Sequence, residues 1–150
     1  MARLLLLRHA KSSWADNGLA DHERPLAPRG LHAADRMASV IGEADLLPDQ
    51  VLCSPARRTR ETLAPLLPRL TSDRVSIVDA LYDAESADYG GIIAEHGGSA
   101  HRLLVIGHNP HIHVTALRLV NAAEDDENAL QMAAKFPSGA LAVIDFDLID

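Results

Sequence analysis

Short apolar runs alternate with longer amphipathic segments along this chain. Residues 3–8 read Arg-Leu-Leu-Leu-Leu-Arg, apolar toward both faces of an extended backbone. That pattern predicts a strand buried at the centre of a sheet. Residues 10–27 are polar, include Asp16-Asn17-Gly18, and predict a long loop of the kind that carries function in compact domains. A helix is predicted from Pro28, with Leu31, Ala34, Met37, Ala38 and Ile41 on one stripe, fading near Asp45 before a break at Pro48. Residues 50–53 predict a second strand. Ser54 and Pro55 then read as the N-cap and first residue of a helix running toward Leu67, bent or ended by Pro65.

Further strands are predicted at 74–78, 102–106 and 140–146. A helix at 87–96 is weakened by Gly90-Gly91, and another covers 111–121 after the turn Gly107-His108-Asn109-Pro110. The acidic stretch 124–127 reads as a solvated loop or helix start, and 128–134 as helical. Strands and helices alternate throughout, which predicts a three-layer α/β/α sandwich around a mostly parallel sheet. No linker or repeat divides the chain, so residues 1–150 are expected to form a single domain.

Composition narrows the function classes. The 150 residues are nearly half apolar, carry a formal charge of -7 and include one cysteine, Cys53. The acidic balance disfavours nucleic acid and anionic membranes as partners. The four-leucine run is too short for a signal peptide or a membrane span. A soluble, cytoplasmic protein is expected.

Ligands of open α/β sheets bind beyond the carboxyl ends of the strands. Arg8 and His9 follow the first predicted strand, Ser54 and the arginines 57, 58 and 60 the second, Tyr82 and Asp83 the third, and His108 and Asn109 the fourth. Arginines suit phosphate or carboxylate, and two histidines beside them offer a nucleophile and a hydrogen-bond donor. On a helix, Arg57 faces Glu61 as a surface pair, whereas Arg58 shares a face with Thr62, so Arg58 is the candidate ligand. Gly107 permits close backbone approach beside His108. His108, His111 and His113 do not share one helical face, so no metal site is expected. A cysteine phosphatase needs an arginine six residues after the cysteine; here that position is Thr59.

Arg8-His9-Ala10 resembles the Arg-His-Gly signature of the histidine phosphatase superfamily. The run from Ser54 through Arg58 to Thr62 resembles its second motif, and Gly107-His108 its second histidine. Pro25–Gly30 and Pro137–Leu141 share the likeness, which spans nearly the whole chain. The short length and Ala10 are most similar to the SixA-type phosphohistidine phosphatase branch. The resemblance implies a phosphoglycerate mutase-like fold and a metal-independent phosphatase without a cofactor. It implies that His9 attacks phosphorus, that Arg8 and Arg58 hold the phosphoryl oxygens, and that His108 stabilises charge. Asp83 is the implied proton donor and Glu85 the second choice; SixA-type proteins can lack this acid.

Ala15 stands where mutases of the superfamily usually carry asparagine, which argues against a mutase. Ser12 and Asn109 are further candidate substrate-binding residues. Trp14 is read as an anchor of the 10–27 loop rather than a substrate contact. The expected substrate is phosphohistidine on a protein, or a small phosphorylated molecule. The alternative to catalysis is a module that binds a phospholigand without turnover. The oligomeric state is not readable from the sequence.

Overall fold

The computed structural model describes residues 2–83, 88–120, 131–132 and 135–146. Five strands, β1 (Ala2–Arg8), β2 (Gln50–Cys53), β3 (Val75–Ile77), β4 (Arg102–Gly107) and β5 (Leu141–Phe146), form one sheet in the order β3-β2-β4-β1-β5. The β1–β4, β2–β4 and β2–β3 pairs are parallel, and β5 runs antiparallel along β1. The expected mostly parallel α/β architecture is therefore present. Helices α1 (Pro28–Glu43), α2 (Arg57–Leu63), α3 (Gly90–His96) and α4 (His111–Leu119) connect the strands.

The leucines of β1 explain its interior position, between β4 and β5. Leu4 and Leu6 join a cluster with Leu52, Val105, Tyr89 and Ile112. Leu5 and Leu7 join the opposite cluster with Val51, Cys53, Ile41, Leu104 and Ile106. Each face therefore takes alternate side chains of one strand, and each buried leucine contributes about 1.5–3 kcal/mol of hydrophobic free energy.

Three local expectations need correction. Helix α2 begins at Arg57, not at Pro55, and its N-cap position is Ala56. Ser54 continues the β2 backbone by donating its N–H to Ile106 O, while its hydroxyl accepts the Ala56 N–H 3.3 Å away. The α-helix stops at Leu63 and a 3-10 segment spans Ala64–Arg69. Pro65 lacks the N–H that would continue the helix, and Pro68 would crowd the carbonyl one turn earlier. On α1 the buried positions are Gly30, Ala34, Ala38 and Ile41, and Leu31 is exposed. A Cβ at residue 30 would lie 2.1 Å from Lys11 O, so Gly30 lets the helix pack directly on the loop after β1.

Helix α3 starts at Gly90 rather than 87, and β3 is two residues shorter than expected. The readings for 124–127 and 128–134, and that for Glu85, fall wholly or mainly outside the described residues.

Candidate active site

β1, β2 and β4 end side by side, and their carboxyl ends deliver Arg8-His9, Ser54 and His108 to one edge of the sheet. The β1 strand ends at Arg8, and both Arg8 and His9 line the same pocket. The pocket encloses about 250 Å³, and Arg8, His9, Ser12, Arg58, His108 and Asn109 are among its lining.

Main-chain bonds fix His9. Its N–H donates to Gly107 O, and its carbonyl accepts the N–H of Gly139, which also bonds Arg8 O. The imidazole Nδ1–H donates to Ala10 O at 2.7 Å. A carbonyl only accepts, so the proton resides on Nδ1 and the lone pair on Nε2. Thr62 holds the next residue: its hydroxyl accepts the Ala10 N–H and donates to Arg58 O. One threonine thus ties the β1 loop to α2.

Arg8 and Asn109 share an anchor, each donating to Phe136 O, at 3.1 and 2.9 Å. His108 Nε2 lies 2.7 Å from the Ser54 hydroxyl, and the His108 N–H donates to Tyr89 Oη. A Cβ at Gly107 would meet the Tyr89 ring at 2.6 Å, which is why glycine precedes His108. The two imidazole centroids are 5.4 Å apart. Burial above all, helped by the Arg58 charge, lowers the His9 pKa to about 4 and the His108 pKa to about 3. Both rings are therefore neutral at pH 7. Arg8 Nε, Arg58 Nε, His108 Nδ1 and Asn109 Oδ1 are buried without a partner among the described residues. All four belong to residues that line the pocket. Polar atoms left in this way are costly, about 1–3 kcal/mol each, unless a ligand engages them.

The sequence and the fold match known proteins. The sequence model described as histidine phosphatase superfamily (branch 1) matches residues 4–100. The chain belongs to the histidine phosphatase superfamily. The protein Rv1276c of Mycobacterium tuberculosis, itself uncharacterised, is 36% identical over 142 residues, covering 92% of this chain and 85% of that one. Among solved structures, a candidate phosphohistidine phosphatase SixA from Agrobacterium tumefaciens superposes with TM-score 0.84 and 29% identity, over 96% of this chain and 88% of that one. A second candidate SixA, from Nakamurella multipartitia, gives TM-score 0.73 and 30% identity, over 95% and 83% of the two chains.

Within this histidine phosphatase frame, the sequence-predicted residues His9, Arg8, Arg58, His108, Ser12 and Asn109 converge on the pocket. Asp83 does not. It is exposed, its backbone N–H is tied to Asp79 O, and it is absent from the pocket lining. Arg57 pairs with Glu61 on the surface as its spacing predicts. His111 stacks on Tyr89 and His113 bonds Met132 O, so the three nearby histidines point to separate partners. Burial pushes the Cys53 thiol up to about 12, which leaves it unreactive.

Two residues of the site escaped the sequence reading. Asp21 accepts from Arg58 Nη2, from Arg24 Nε and from Tyr82 Oη, and its carbonyl accepts from Arg58 Nη1. These donors hold the Asp21 carboxyl down at about 2, Tyr82 most strongly, although half of the side chain is exposed. Arg24 is buried, lines the pocket, and donates to the Ser12 hydroxyl at 3.0 Å. Both lie in the long polar loop, where neither periodicity nor strand-end position marks a residue. Ser54 reads from the sequence as a helix cap at the strand-end edge; the structure makes it the partner of His108.

Proposed function

We propose that this histidine phosphatase dephosphorylates phosphohistidine on a protein by way of a phosphoryl-His9 intermediate. The observation that carries the reading is the state of His9: a neutral imidazole with its Nδ1 proton committed to Ala10 O, and a free Nε2 among arginines. Arg8 and Arg58 receive the phosphoryl oxygens through charge-assisted hydrogen bonds. His108 Nε2 is engaged by the Ser54 hydroxyl, and its buried Nδ1 has no partner among the described residues; with the proton on Nδ1, His108 meets the charge that develops on those oxygens. Ser12 and Asn109 complete the cradle.

His9 Nε2 attacks phosphorus in line. The Nε2–P bond forms as the substrate N–P bond breaks, and the departing imidazole nitrogen keeps the electron pair and takes a proton from solvent. Water then attacks phosphorus, the Nε2–P bond breaks, and orthophosphate leaves with neutral His9 restored. Asp21, the carboxylate nearest Arg58, is held ionised and is therefore a poor proton donor. That supports a phosphoramidate substrate, whose nitrogen leaves with less help from an acid than an alkoxide needs. The test compares kcat/KM on a phosphohistidine protein with that on a phosphoserine protein. Preference for phosphohistidine by at least about 10²-fold is expected; equal or reversed preference overturns the substrate assignment.

A further inference from the structure

Trp14 is the chain's single tryptophan. It lines the phosphoryl pocket yet is 67% exposed, more than any other large apolar side chain described. An anchor of the 10–27 loop would bury its ring, and this loop is anchored without it. Ser12 bridges Leu26, Ser13 N–H donates to Pro25 O, and Ala27 N–H donates to Lys11 O. Arg24 adds bonds to Ser12 Oγ and Ser13 O. The loop instead holds the indole in place. The Arg24 guanidinium lies 3.5 Å from the ring centroid and is itself buried and gripped by Asp21. A cation over one face orients the ring and leaves the remainder of its apolar surface open at the mouth of a polar cradle.

Resting on the function proposed above, we infer that Trp14 is a specificity residue that stacks against a flat leaving group, the imidazole ring of phosphohistidine, while the cradle holds its phosphoryl group. A ring pair of this kind favours a ringed over a ringless substrate by about 3- to 10-fold. Arg24 and Asp21 act as positioning residues for the indole.

The test uses two substrates with the same N–P bond, N-phosphoimidazole and ringless phosphoramidate. Trp14→Ala is expected to lower kcat/KM on phosphoimidazole by about 3- to 10-fold, through KM, and to change it less than twofold on phosphoramidate. Trp14→Phe restores the ring preference. A second reading needs no turnover: in His9→Ala, phosphoimidazole shifts the fluorescence of the sole tryptophan and orthophosphate does not. Equal losses on both substrates, an unchanged ratio in Trp14→Ala, or silent fluorescence overturns the stacking role while leaving the phosphatase reading intact. Turnover of neither substrate by the unaltered protein overturns the phosphoramidate reading, and the stacking role with it.

Discussion

The floor and the rim of the pocket are built differently. Arg8, His9, Ser54 and His108 reach the floor from the ends of β1, β2 and β4, and main-chain hydrogen bonds of the sheet continue through them, His9 N–H to Gly107 O and Ser54 N–H to Ile106 O. They are mostly buried. Trp14 and Arg24 form the rim from the loop, Arg24 lying over the indole and held by Asp21, which Tyr82 holds in turn, all by side chains. Trp14, Asp21 and Tyr82 are partly or largely exposed. The difference separates tasks. Groups that must meet a reacting phosphorus sit where the sheet fixes them, and groups that meet the variable part of a substrate sit where side chains alone fix them.

Breaking the floor is expected to cost most. Arg8→Ala removes a charged fork from the floor and should lower kcat/KM by about 10²- to 10³-fold, measured by steady-state kinetics. Gly107→Ala tests the floor's support, because the new Cβ would press on the Tyr89 ring, and Tyr89 Oη holds the His108 backbone. A destabilisation of about 1–3 kcal/mol is expected in urea unfolding, with reduced activity.

At the rim, Asp21→Asn removes the charge shared by Arg58 and Arg24. It should lower kcat/KM by only about 3- to 10-fold, mainly through KM. Its effect on stability at neutral pH should be small, because the carboxylate is half exposed.

Acid separates the two regions once more. His9 and His108 titrate at about 4 and 3 in the folded chain, against 6.5 in the unfolded one. The unfolded chain therefore takes up protons first. The floor's contribution is complete above about pH 6.5 and declines as pH falls toward 4. Asp21, depressed from 3.8 to about 2, contributes above pH 3.8 and loses its share only below that. An NMR titration should find His9 neutral at pH 5.5; a midpoint near 6.5 would contradict its burial among cations.

Legibility in the sequence follows the same division. The Leu4–Leu7 run marks β1 as a strand buried on both faces, which it is, although β4 and not β1 lies at the sheet centre, and strand-end position singles out Arg8, His9 and His108, because the sheet itself dictates those positions. The helix phase of Arg57, Arg58 and Thr62 assigned their faces correctly. Ser-Pro is a frequent helix opening, whereas here the helix begins two residues later, at Arg57, and the Ser54 hydroxyl lies against His108 Nε2. The Asp21–Arg24 hub has no signature, since it sits on a short 3-10 turn inside the long loop and its partners Arg58 and Tyr82 come from distant segments. Asp83 was drawn in by its place after the third strand, but the turn after β3 aims Tyr82 at the site instead and leaves Asp83 in solvent.

The central claim is that His9 Nε2 takes the phosphoryl group. Rapid acid-free quenching of a reaction with labelled phosphohistidine protein, followed by peptide mapping, tests it directly. Label is expected on His9, acid-labile and base-stable, with none on the His9→Ala protein. Label retained in that variant, or mapped to another residue, would contradict it.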